Sequence, residues 1–158
     1  MSTPGTGNVA TEVVDPITSA TDAFQRALRG YLALVATELG IGLESCTLDI
    51  DTPVSAYLAM DHRTDAAPER DLALLWDEHH GWSIAAETHT GEDLMVLGYL
   101  ATDTVVPPVE LIVRFVEEFC AGETGLCRPD QRVIGDIENA GQALGTFGRI
   151  TPSLPSVA

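Results

Sequence analysis

The segment Trp76-Asp77-Glu78-His79-His80-Gly81-Trp82 sets two carboxylates and two imidazoles between two tryptophans, and Glu87 and His89 follow shortly after. Such side chains are donors that a transition metal accepts, and an imidazole beside a carboxylate can also move protons. The spacing matches no recognised ligand set, however. DEHHG is also the composition of a short hairpin loop, in which Gly81 would supply a positive φ and adjacent histidines diverge. The hairpin reading is preferred, so no metal and no cofactor are expected. His79, His80 and Glu87 remain candidate polar contacts for a ligand or partner, with Trp76, Trp82, Tyr57 and Tyr99 as candidate aromatic surfaces.

Other chemistry has less support. Asp49 and Asp51 alternate on one strand face, opposite the apolar series Cys46, Leu48 and Ile50, which marks them as solvent-facing, where nothing tunes a carboxylate for catalysis. Asp61 and His62 read as members of a polar loop. Cys46 and Cys120 are expected on core faces, where a thiol acts as a small hydrophobe. Cys127, in GLCRP beside Arg128, is the thiol best placed to react, yet no base accompanies it in the sequence. The chain holds no GxSxG, HExxH, GxGxxG or CxxC pattern, so no catalytic residue is assigned.

The elements that would position these residues follow from hydrophobic periodicity. Phe24, Leu28, Tyr31, Leu32, Val35 and Leu39 recur at helical spacing, which predicts a helix over 19–39 capped by Thr18 or Ser19 and stopped at Gly40. Alternation over 45–51, an apolar run over 54–60, and runs over 71–77, 82–88 and 94–100 predict five strands in an antiparallel meander. A second helix is expected over 109–120, opened by Pro107-Pro108 and stopped by Gly122, with Val109, Ile112, Val113, Val116 and Cys120 on one stripe. The fold class is therefore α+β, a five-stranded antiparallel meander flanked by an N-terminal and a C-terminal helix. Residues 1–18 are expected to be a flexible segment, 19–122 the domain, and 123–158 a weakly structured tail with one short amphipathic piece at 131–144.

The later strands are apolar on both faces: Leu72, Leu74 and Trp76 oppose Ala73 and Leu75, and Leu94, Val96 and Leu100 oppose Met95, Leu97 and Tyr99. Two apolar faces need two covers. Helices on both faces, a second copy or a partner protein would each supply one, and a homodimer is the simplest.

Charge decides which partners are excluded. The 158 residues hold 24 acidic and 8 basic side chains, for a formal net charge of −16. Every basic residue is arginine, so no lysine Schiff base and no P-loop lysine exist. Isolated arginines in an acidic field cannot neutralise a run of phosphates, which excludes nucleic acid as an expected partner and disfavours anionic membranes. No signal-peptide-like segment and no apolar stretch of about 20 residues is present. Three cysteines in such a chain are expected as reduced thiols in a cytoplasmic protein.

RDLALLWDEHHGWSIAAET, with the preceding SAYLAMDHR, resembles a family of small uncharacterised actinobacterial proteins, most specifically in the HGWS turn, His80 to Ser83. The resemblance spans about Phe24 to Gly122 and implies no activity. Two functions from different classes therefore follow. One is a non-enzymatic interaction, regulatory or chaperone-like module that binds a protein through its sheet face. The other is a small-molecule-binding or enzymatic domain with a pocket near the Trp76–Trp82 hairpin, between sheet and helices.

Overall fold

The computed structural model of the chain describes residues 16–51, 53–65, 67–88 and 93–150. Helix α1 spans Pro16–Leu39, three residues longer at its start than the periodicity predicts, because proline is accommodated in a first helical turn. Gly40 ends it at φ +72°, with Ile41 N–H donating to the Ala36 carbonyl, a bond that satisfies one of the last free carbonyls. Strands β1, Cys46–Asp49, β2, Ser55–Met60, β3, Leu72–Asp77, β4, Gly81–Glu87, and β5, Leu94–Leu100, follow in turn. Helix α2, Val109–Cys120, buries Ile112, Phe115 and Val116.

Two further elements correct the expected five strands and two helices. Strand β6, Cys127–Arg128, extends the sheet beyond β5, and helix α3, Ile137–Ile150, closes the described chain. Both lie within 123–158, where only weak structure was expected. A two-residue strand is too short to show alternation, while α3 overlaps the short amphipathic piece expected over 131–144 but starts and ends later. At Gly141 an added Cβ would sit 3.8 Å from the Phe24 ring of α1, an ordinary contact distance, so the packing there does not demand glycine. Asp136 caps α3 by accepting the Asn139 N–H at 2.9 Å, and Ala140 and Leu144 are buried.

The six strands pair in sequence order, β1-β2-β3-β4-β5-β6, all antiparallel. The register Leu58–Leu74–Ile84 and Ala56–Trp76–Trp82 gathers one face, and Tyr57–Leu75–Ser83–Tyr99 and Ala59–Ala73–Ala85 gather the other. A bulge between Ile84 and Ala85 on the β4–β5 ladder shifts the pairing by one residue at Leu97.

All three helices belong to one core with the first face. Leu28, Tyr31 and Val35 of α1, Ile112, Phe115 and Val116 of α2, and Ala140 and Leu144 of α3 join Leu58, Leu74, Trp76, Trp82 and Ile84 in a single buried cluster. Polar atoms within it are paired. Trp82 Nε1 donates to the Tyr31 hydroxyl at 3.2 Å, the Tyr31 hydroxyl donates to the Pro107 carbonyl at 2.7 Å, and Trp76 Nε1 donates to the Val105 carbonyl at 2.6 Å. These bonds fix the indoles and tie the 101–108 connection to the core.

Candidate functional site

The acid and histidine cluster forms the β3–β4 hairpin, and its polar groups are consumed there. Asp77 and Gly81 close a three-residue loop, with Gly81 at φ +74°, where a side chain would be strained. Asp77 Oδ1 accepts the backbone N–H groups of His79 and His80, each at 2.8 Å, and lies 2.9 Å from His80 Nδ1. The Glu78 carboxylate is buried, and its Oε1 accepts the Val54 N–H at 2.7 Å while the Glu78 N–H donates to the Val54 carbonyl. Glu78 thus joins the hairpin to the start of β2 through both its backbone and its side chain. His79 faces the Gly135 carbonyl, at 3.5 Å, and the Glu78 carboxylate, at 3.7 Å. The two imidazoles therefore turn to different partners. Among the described residues no three His, Cys, Asp or Glu side chains group as a metal site; His89 lies outside the described residues.

Trp76 and Trp82 are 1% and 0% exposed and belong to the core between sheet and helices. Tyr57, Glu87 and Tyr99 occupy the opposite face. Of the seven candidate residues the fold thus brings three together on the helix-free face, two into the core and two at the hairpin tip. The aromatic walls expected for a pocket between sheet and helices are split between two sides of the sheet.

The helix-free face is built around small residues. Its Ala73 and Ala85 are 0% exposed although neither belongs to the helix-packed core. The register explains Ala73: the Tyr57 hydroxyl donates to Glu87 Oε2 at 3.3 Å across the intervening strand, and Ala73 lies on the diagonal between them. A methyl group there leaves room for the tyrosine ring to pass over. Burial raises the Tyr57 hydroxyl above the ordinary tyrosine value and the Glu87 charge adds to it; burial likewise raises Tyr99, with Asp77 adding. Both phenols are held neutral. Around this floor stand Leu75, half-buried, and Leu94 and Val96, which are 39% and 40% exposed. An open cavity of about 370 Å³ lies toward the β1 side, lined by Thr47, Asp49, Ser55, Tyr57, Leu75 and Leu94 among others. Its acidic lining comprises Asp49 and Asp77, and the Asp49 carboxylate already accepts the Asp51 N–H at 2.9 Å.

Sequence reasoning marked both faces of these strands as apolar but did not single out Leu75, Leu94 or Val96. Their exposure depends on where the helices settle, which strand alternation does not encode. The thiols offer no activated nucleophile. Cys46, Cys120 and Cys127 are half-buried, and burial pushes each above the ordinary thiol value. Cys127, read as a loop thiol, instead sits in β6 and packs against the core. No helix among the described residues is long and apolar enough to cross a membrane.

Residues 31–118 match the model of a family of unknown function, DUF6292. The match takes in more than half of the chain, from the middle of α1 to the end of α2, and the chain belongs to that family. No curated protein and no solved structure matches it.

Proposed function

We propose that this member of the DUF6292 family is a non-enzymatic protein-interaction module, regulatory or chaperone-like, that binds a protein partner over the helix-free face of its sheet. The observation that carries this reading is the asymmetry of cover. All three helices join the core on one face, while the other presents Tyr57, Leu75, Leu94, Val96 and Tyr99 over an alanine floor. A contiguous apolar surface of this kind on a soluble domain marks a place where another surface docks.

Charge indicates what kind of surface that is. Asp49, Asp71 and Asp77 fringe the face, Asp71 already paired with Arg63, and the chain as a whole carries −16. A partner with an apolar patch bordered by arginine or lysine would be steered toward it and oriented on it. The hairpin contributes by holding the strands rather than by reacting, since its carboxylates are bonded to backbone donors. A reducing cytoplasm suits three half-buried free thiols.

Affinity capture from a lysate of the native organism, quantified by mass spectrometry, tests this against the hairpin. The wild-type chain should retain a stoichiometric protein, the double variant Leu75→Arg/Val96→Arg should lose it, and His79→Ala/His80→Ala should keep it. Retention by the first variant with loss by the second would move the site to the hairpin and overturn the proposal.

A further inference from the structure

Two glycines of α3 answer to no demand of the fold. Neither Gly141 nor Gly145 has a positive φ. A Cβ on Gly141 would meet only the Phe24 ring, at an ordinary 3.8 Å, and one on Gly145 would meet nothing within 4 Å. Glycine in a helix interior lowers helix formation about four- to fivefold relative to alanine, because it gives up the most backbone freedom. The two together weaken α3 by about twentyfold with no return in packing or turn geometry.

The chain just before α3 is held firmly by comparison. Ile134 N–H donates to the His79 carbonyl at 2.8 Å, and the Ile134 side chain packs against the core. Gly135 approaches so closely that a Cβ on it would stand 3.1 Å from Val105 Cγ1, so here the missing side chain does serve packing. Residues 134–135 are thus pinned to the hairpin tip and the 101–108 connection. Beyond them Asp136, Glu138 and Asn139 are exposed, and α3 rests on α1, with Ala140 and Leu144 buried and Gly141 over Phe24. The strand ladders and the Trp82–Tyr31–Pro107 hydrogen bonds are complete without α3.

We infer that α3 is a hinged cover, opening as one unit about Asp136 while Ile134 stays pinned, and so uncovering the part of α1 around Phe24 without unfolding the sheet. Weak helix formation sets how often it opens, and the pinned residues set where it pivots. The surface it uncovers lies on the helix side, away from the sheet face proposed to bind a partner, and does not depend on that proposal. A surface shown only in the open state can be controlled by whatever selects that state.

Native-state hydrogen exchange of the full chain, read amide by amide by NMR where exchange reports the opening equilibrium, tests this. The amides of Ala140 to Gly145 should share one protection factor, about a hundredfold or more below that of Ala73 to Leu75 in the central strand β3, while the Ile134 amide stays with the sheet. Gly141→Ala/Gly145→Ala should slow exchange across α3 about tenfold or more. Ile84→Val, which opens a small cavity in the sheet core, should speed exchange in β3 about two- to tenfold and leave α3 unchanged. Equal acceleration of both by Ile84→Val would mean that α3 opens only with the whole molecule. Protection falling steadily from Ala140 toward Ile150 would mean fraying from the end, and no gain from the two alanines would mean that the glycines do not set the strength of the helix. Each of these three results overturns the inference.

Discussion

Tyr31 shows how a residue that reads simply as a core position on a helix stripe carries a polar load. Its buried hydroxyl receives the Trp82 indole N–H and donates to the Pro107 carbonyl, so it links α1, the sheet and the connection before α2. Burial raises its ionisation well above the ordinary tyrosine value of 10.0, with the Trp82 bond acting in the opposite direction. Since the folded state holds that proton more tightly than the unfolded one, the associated stability is complete below about pH 10 and falls as pH rises toward the folded value. Tyr31→Phe should therefore cost about 1–3 kcal/mol at neutral pH by leaving two buried groups without a partner, and should flatten the fall above pH 10. Tyr57 and Tyr99, raised in the same direction, preserve part of the slope. Urea titrations across pH check both effects. Glu78 marks the limit of what was legible at this scale. Among 24 acidic residues nothing in its type or spacing distinguishes a buried carboxylate that clamps Val54 from the solvated ones, because the distinction lies in a contact between residues far apart in sequence.

At the scale of elements, legibility followed length. Helices α1 and α2 and strands β1 to β5 each repeat a period long enough to be read, and the hairpin at 77–81 declared itself through Gly81. Strand β6 did not, because two residues have no period, and helix α3 was legible only in part, as the short amphipathic piece over 131–144 that overlaps it. The junction of β5 with β6 gives this account a local test. A Cβ on Gly98 would collide with the Cys127 sulfur, so the absence of a side chain at Gly98 is what lets β6 lie against β5. Gly98→Ala should destabilise the chain by about 1–3 kcal/mol through overpacking, and Cys127→Ala in the same chain should recover much of that, leaving the two changes clearly non-additive. Thermal melts of the four chains give the coupling. Full additivity would mean that Gly98 and Cys127 do not share one space.

As a whole the molecule is a sheet with helices on one side and an open apolar face on the other, carried on a chain of net charge −16. The excess of apolar strand residues was visible in the sequence. Which face would be left uncovered was not, since that depends on all three helices choosing the side of Trp76 and Trp82. The tryptophans decide it physically: their indoles need both apolar surroundings and an acceptor, and the helix side supplies both through Tyr31 and Val105. The tyrosines and leucines on the other side then become a surface. Hydroxyl-radical footprinting, applied to the chain alone and in complex with a protein captured by it as proposed above, addresses that surface most directly. The account predicts protection at Tyr57, Leu75, Leu94, Val96 and Tyr99 with no change at His79 and His80. Protection confined to the hairpin, or to the outer sides of α1 and α2, would contradict it.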